Sequence, residues 1–186
     1  MASPLGHSLI GVALYLATVR SSEWSRRWGW LFLLVLFSTM ADIDYFPALL
    51  GDIDLANAFH RGLTHTALFA VGTVALFLII GGIKRHKFLW KPALVLLAAS
   101  LIHLVLDVVA EDGKAPFGIP VFYPFSNSYY YGPWIIFPKI HKGSYAELFS
   151  LANVRVALFE ILFFTVLILI AGAGRLIFDR YARRHA

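Results

Sequence analysis

Six consecutive positions, His60-Arg61-Gly62-Leu63-Thr64-His65, place two imidazoles, a guanidinium and a hydroxyl between two long apolar runs. Polar groups kept at that depth are functional by default where the surrounding chain lies in a bilayer. The pattern reads as half of a metal site, because neutral imidazole is a frequent ligand of divalent ions. Its rival is an ordinary polar loop with interfacial histidines, so the rest of the chain must decide.

Other groups supply the missing half. Leu101-Ile102-His103-Leu104-Val105-Leu106-Asp107 sets an imidazole and a carboxylate four apart within an apolar run. On a helix they share one face, as two ligands of one ion or as a ligand and the carboxylate that orients it. The alternative is a buried hydrogen-bonded pair without metal. Asp42-Ile43-Asp44 precedes Tyr45-Phe46-Pro47. Proline disfavours helical geometry in the residue before it, so the helix should loosen there and both carboxylates can converge. His7 lies one turn into a helix opened by Ser3-Pro4, a capping serine followed by proline in the first turn.

The elements that carry these groups are membrane helices. Hydrophobic residues make up 59% of the chain, charged residues 15%, and the mean hydropathy is +0.72, against about 45–50% apolar and about 25% charged in soluble domains. Spans of about 20 residues each account for most of the chain. They predict an all-α polytopic protein with about five transmembrane helices, forming one domain over residues 1–186.

The first span runs to about Ser22 and lacks the basic start and cleavage site of a removable signal peptide. The others run from Trp28 to about Ala41, Thr66 to Gly82, about Pro92 to Ala110, and about Val154 to Ile177, the last carrying Glu160. His60 falls in the approach to the third span and His65 in its first turn. Between Glu111 and Asn153 lies a Pro-rich, aromatic segment with Phe122, Tyr123, Phe125, Tyr129, Tyr130, Tyr131 and Trp134. It cannot be a regular span and reads as an interfacial or re-entrant cap. With no cysteine, thiolate sites and disulfides are excluded, so a metal must be held by imidazole and carboxylate.

Charge then orients the chain. The basic groups collect at Arg20, Arg26 and Arg27, at Lys84, Arg85, Lys87 and Lys91, and at Arg175, Arg180, Arg183 and Arg184. The positive-inside rule makes this face cytoplasmic, with the N-terminus outside and the C-terminus inside. This distribution also accounts for the net charge of +5 without nucleic acid. His7, Asp42, Asp44, His60, His65, His103 and Asp107 all fall at the opposite, non-cytoplasmic end. His86 and His185 sit among the basic groups and read as solvated.

Seven such groups exceed the three protein ligands usual for one catalytic zinc. Paired ions suit phosphoester hydrolysis, because they clamp the attacking and leaving oxygens and lower the pKa of a bound water. Arg61 suits a phosphate oxygen, unless it pairs with Asp42, Asp44 or Asp107. Asp44 or Asp42, if not a ligand, is the candidate base.

Gly6-His7-Ser8, Asp42-x-Asp44, His60-Arg61-Gly62-x-Thr64-His65, His103-x-x-x-Asp107 and Tyr123-Pro124-Phe125-Ser126, in this order, resemble the bacterial inner-membrane metal-dependent hydrolases. That YdjM-like family is also labelled LexA-binding. The resemblance implies a multi-span inner-membrane protein with hydrolase activity and metal roles for His7, Asp42, Asp44, His60, His65, His103 and Asp107. It also implies a site role for Ser126, and Tyr123 of the aromatic segment is a further candidate for binding substrate. A looser likeness is to zinc-dependent phospholipase C.

The expected cofactor is a pair of divalent ions, zinc first, with manganese or iron as alternatives. Headgroup depth beneath an aromatic cap favours a lipid or lipid-linked substrate. A cytosolic protein partner of the LexA type could meet only the basic face. Two other classes are a metal or proton transporter, which should carry polar groups along the full depth of its spans, and a docking protein that binds no metal.

Overall fold

The computed structural model describes residues 2–83, 89–113 and 115–185. Lys84, Arg85, His86 and Lys87, the centre of the expected basic loop, lie outside the described residues. Helices dominate, and among the described residues no β-strand forms beyond two isolated bridges.

Helix α1 (Pro4–Thr18) starts as its sequence demands, with the Ser3 hydroxyl accepting from the Gly6 N–H and proline in the first turn. Helix α2 (Trp28–Thr39) passes into a 3₁₀ segment, Met40–Tyr45, and then into the short α3 (Phe46–Leu49). The predicted loosening before Pro47 is therefore present. Next come α4 (Ile53–Phe59), capped by Asp52, a 3₁₀ turn at Leu63–His65, and α5 (Ala67–Ile83). Helix α6 (Trp90–Val108) precedes the long irregular segment, which ends at α7 (Tyr145–Leu148) and α8 (Leu151–Arg184).

Three stretches are long and apolar enough to cross a membrane: Trp28–Leu49, Trp90–Val108 and Tyr145–Arg184. A fourth crossing exists if Ile53–His65 and Ala67–Gly82, bent by 71°, form one broken span. The expected count of about five depended on α1, and at 15 residues that helix rises only about 22 Å, short of the roughly 30 Å hydrocarbon core.

Helix α1 is instead enclosed. It packs between α8 and α2 and touches α6, while α6 also packs on α2 and α5. Gly11 permits this approach, since a Cβ there would lie 2.7 Å from the Val35 Cα of α2. At one end of the bundle, the Ser21 N–H and hydroxyl donate to Asp179 of α8 at 2.7 and 2.8 Å, and Asp179 pairs with Arg175. The basic α1–α2 connection and the basic tail thus share one end, as charge predicted. At the other end, Ser3 donates through its N–H (2.7 Å) and its hydroxyl to the fully buried Glu160 of α8.

The aromatic segment is only partly a surface cap. Phe125 and Trp134 are exposed, but Phe137 is buried and stacks on Phe164 of α8 with centroids 5.5 Å apart. Backbone bonds from Gly132 to Val108 (2.7 Å), Ile136 to Val109 (2.8 Å) and Glu111 to Phe137 (2.8 Å) hold it against the end of α6.

Replacing Gly11 by valine should force α1 away from α2. Overpacking of this kind costs about 1–3 kcal/mol, so we expect a lower unfolding midpoint in detergent. An unchanged midpoint would show that the contact does not set the spacing of the helices.

Candidate metal centre

Four local structures bring the polar groups together. His7 faces inward from the first turns of α1 and is fully buried. Asp42 and Asp44 project from the 3₁₀ segment after α2. That transition has a local cause as well as Pro47: the Ser38 and Thr39 hydroxyls both turn back to the Val35 carbonyl at 2.9 Å, competing with helix continuation. His60 caps the C-terminus of α4 with extended backbone, and His65 closes the turn before α5. His103 and Asp107 share the inner face of α6, both buried.

Asp44 organises the knot. Its carboxylate lies 2.7 Å from His60 Nδ1 and 3.1 Å from His65 Nδ1, and it accepts from the Thr64 hydroxyl at 2.7 Å and the Arg61 N–H at 3.1 Å. Arg61 adopts a left-handed φ of 67°, a conformation uncommon for a residue with a side chain. Both of its ends are tied, the amide to Asp44 and the guanidinium to Asp112. Sequence reasoning offered Asp42, Asp44 or Asp107 as its ion-pair partner. The structure supplies Asp112 instead, because the chain after α6 folds back over the turn.

The ring nitrogens sort into two sets. His103 donates from Nδ1 to the Ser38 carbonyl at 2.8 Å, which leaves Nε2 with its lone pair directed inward. Around Asp107, His7 Nε2 lies at 3.4 Å, His65 Nε2 at 3.3 Å and His103 Nε2 at 3.5 Å. His65 Nε2 and His103 Nε2 are 3.5 Å apart, and Asp42 Oδ1 is 3.6 and 3.8 Å from them. His7 stacks on His103 with centroids 3.7 Å apart. Both ring nitrogens of His7, and both carboxylate oxygens of Asp42 and Asp107, are buried without a hydrogen-bond partner among the described residues.

Two adjoining groups could each hold an ion: His7, His103 and Asp107, all buried, and Asp42, His60 and His65. Every expected ligand is thus in or against the cluster, with Asp44 behind His60 and His65. Tyr123 and Ser126 stand apart in hydrogen bonding. Tyr123 is exposed, and the Ser126 hydroxyl accepts from the Ser128 N–H at 3.2 Å. Their segment nevertheless runs beside the site, since the Val121 carbonyl accepts from the Ala67 N–H at 2.8 Å.

Three residues carry weight that sequence reasoning missed. Asp112 and Lys142 look like ordinary loop charges, and Glu160 was visible only as a lone acid in an apolar run. Lys142 lies close to the cluster, with its ammonium over the Tyr45 ring at 5.2 Å. Burial pushes it down to about 8, and the Arg61 guanidinium adds to that shift.

Apolar helices of spanning length around a buried His/Asp cluster define a multi-pass helical membrane protein with its ionisable groups gathered at one end. The chain belongs to the YdjM inner membrane protein family, whose profile matches residues 1–181. It is also similar to "Inner membrane protein YbcI" of Escherichia coli (strain K12), 30% identical over 105 residues, or 56% of this chain and 58% of that relative. The match therefore spans little more than half of the relative's length. No solved structure matches. The YdjM-like family and the inner-membrane location expected from sequence are borne out by these likenesses.

Replacing Asp44 by asparagine removes the charged acceptor that orients two rings while keeping its size. Loss of such an orienting carboxylate typically costs ten- to a hundredfold in metal affinity. A chelator-competition titration should show that drop with the helical circular dichroism signal unchanged. Equal affinity would mean that Asp44 does not set the rings.

Proposed function

We propose that this chain is a membrane-embedded hydrolase that uses two divalent metal ions to cleave a phosphoester bond in a lipid or lipid-linked substrate. The observation that carries the proposal is the spacing of the buried donor atoms. Nitrogen–oxygen hydrogen bonds run about 2.7–3.2 Å, whereas the contacts of His7, His65 and His103 with Asp107 are 3.3–3.5 Å. Ligands about 2.0–2.1 Å from a tetrahedral ion stand about 3.3–3.4 Å from one another. Around Asp107 the donor atoms stand at about the spacing of a ligand shell, which supports the metal reading. Leaving the carboxylates of Asp42 and Asp107 buried without partners would otherwise be costly.

The donor set of imidazole and carboxylate suits zinc first, with manganese or iron as alternatives. Bound ions would supply hydroxide near neutral pH and neutralise charge that develops on phosphate oxygens. The protein's own part is placement. Asp44 holds His60 and His65 in register, so its contacts suit a positioning role better than that of a base. Asp42 and Asp107 face the donor nitrogens directly. Arg61, fixed by Asp44 and Asp112, stands beside His60 with its planar fork suited to a phosphate oxygen.

Exposed apolar side chains on the same segments, among them Ile43, Phe46, Leu49, Leu50, Phe59 and Leu63, favour a substrate drawn from the bilayer. The positive-inside rule would set this end of the bundle on the non-cytoplasmic face.

The 71° break in the span that carries His65 is the one feature favouring transport, since broken helices recur at the substrate sites of transporters. Ion uptake into vesicles without hydrolysis would select that reading.

Detergent-purified protein should release phosphate from phosphatidate or a polyprenyl phosphate. Chelation should abolish the activity and added zinc or manganese restore it. Asp107→Ala should lower the rate at least a hundredfold. Metal-loaded wild type that cleaves neither class of lipid phosphate would overturn the proposal.

A further inference from the structure

The end of the bundle away from the cluster carries a surface that takes no part in the site. Helices α2 and α6 both finish at the cluster, α2 through Asp42 and α6 through Asp107, so their first residues, Trp28 and Trp90, mark the opposite end. Both indoles are exposed. Tryptophan favours the headgroup level of a bilayer, and the helical rise sets these two roughly 20–25 Å from the cluster.

Helix α8 passes that level. It leaves the cluster end at Glu160, beside Ser3, and continues to Arg184, a rise of about 36 Å against a hydrocarbon core of roughly 30 Å. Its last turns therefore reach past the indoles into the headgroup layer. There Ile177, Phe178 and Tyr181 are exposed, and so are Arg180 and Arg184 beside them on the helix.

The fold gathers more charge here than one connection holds. Asp179 is the one acid of these turns, and its carboxylate is taken by the Ser21 N–H and hydroxyl and by Arg175. This clasp brings Arg20, next to Ser21, up to Arg180, next to Asp179. Arg26 follows in the same connection, whose one acid, Glu23, pairs with Arg27 at 2.6 Å. Arg20, Arg26, Arg180 and Arg184 are exposed and form no ion pair among the described residues. Clustered like charges repel one another, and an anionic surface laid against them removes that repulsion.

We infer that this end is a docking surface for anionic phospholipid, with Arg20, Arg26, Arg180 and Arg184 meeting the phosphate groups and Ile177, Phe178 and Tyr181 entering the acyl boundary. Depth selects a lipid over a soluble acidic partner, because the arginines of α8 sit just past the indoles and share their turns with exposed apolar side chains. Headgroups that bridge the α1–α2 connection and α8 stabilise the folded chain by mass action. The inference does not depend on the hydrolase reading.

Thermal unfolding of the full-length protein in neutral detergent tests it, with phosphatidylglycerol as the added lipid and phosphatidylcholine as the uncharged-surface control. Wild type should gain stability with phosphatidylglycerol and much less with phosphatidylcholine. One basic group near an anionic surface is worth about fivefold in affinity. Arg180→Gln combined with Arg184→Gln should therefore need at least tenfold more phosphatidylglycerol for the half-maximal rise, while the lipid-free midpoint stays close to wild type. Arg20→Gln combined with Arg26→Gln, on the other side of the clasp, should show the same loss. Arg155→Gln removes an exposed charge from the cluster end of α8 and should keep the wild-type response.

Equal gains from the two lipids, or a wild-type response in both double variants, would overturn the inference. An equal loss in Arg155→Gln would also overturn it, since attraction would then follow net charge alone. Stabilisation by polyglutamate but not by phosphatidylglycerol would assign the surface to an acidic protein and sink the lipid reading.

Discussion

Ionisable groups buried near the end of a membrane bundle must be compensated, and the rest of this structure follows from how that is done. His7, His65, His103 and Asp107 are essentially inaccessible to water. The outer nitrogens of three rings meet the protein, His103 Nδ1 on the Ser38 carbonyl and the Nδ1 atoms of His60 and His65 on Asp44, whereas His7 Nδ1 has no hydrogen bond among the described residues. The inner atoms are left facing one another. On the reading proposed above, a cation placed among them would compensate these charges.

This need explains the breaks in the helices. A regular α2 would send Asp42 and Asp44 to different faces, but the 3₁₀ segment brings both to His65. A continuous helix from α4 into α5 would separate His60 from His65, whereas the turn through Arg61 and Gly62 sets their rings 5.0 Å apart. The unbroken helices supply rigidity. Helix α1, too short to span, is held at one end by Glu160 and along its length by the close contact at Gly11, and this fixes His7 against His103.

Most of the ligand candidates were legible because each stood out against apolar surroundings: His103 and Asp107 by helical spacing, Asp42 and Asp44 by the following proline, His60 and His65 by their six-residue knot. Charge alone revealed that one end of the bundle is basic, and the Ser21–Asp179 contact agrees with it. What escaped sequence reasoning depends on contacts distant in the chain. Nothing local separates Asp44, with its four partners, from Asp42, which makes no hydrogen bond among the described residues. The partner of Arg61 lies 51 positions away, and Lys142 comes to the site only because the aromatic segment folds back and lodges Phe137 against α8. The enclosure of α1 was hidden for a similar reason, since an apolar helix facing protein and one facing lipid have the same composition.

The central claim is that divalent ions complete the cluster, and elemental analysis of detergent-purified protein tests it most directly, with wild type beside His65→Ala and Asp107→Ala. The account predicts about two equivalents of zinc, manganese or iron per wild-type chain, with a marked loss in both variants while each stays folded. Wild type that remains metal-free after reconstitution, or variants that keep the full complement, would contradict it.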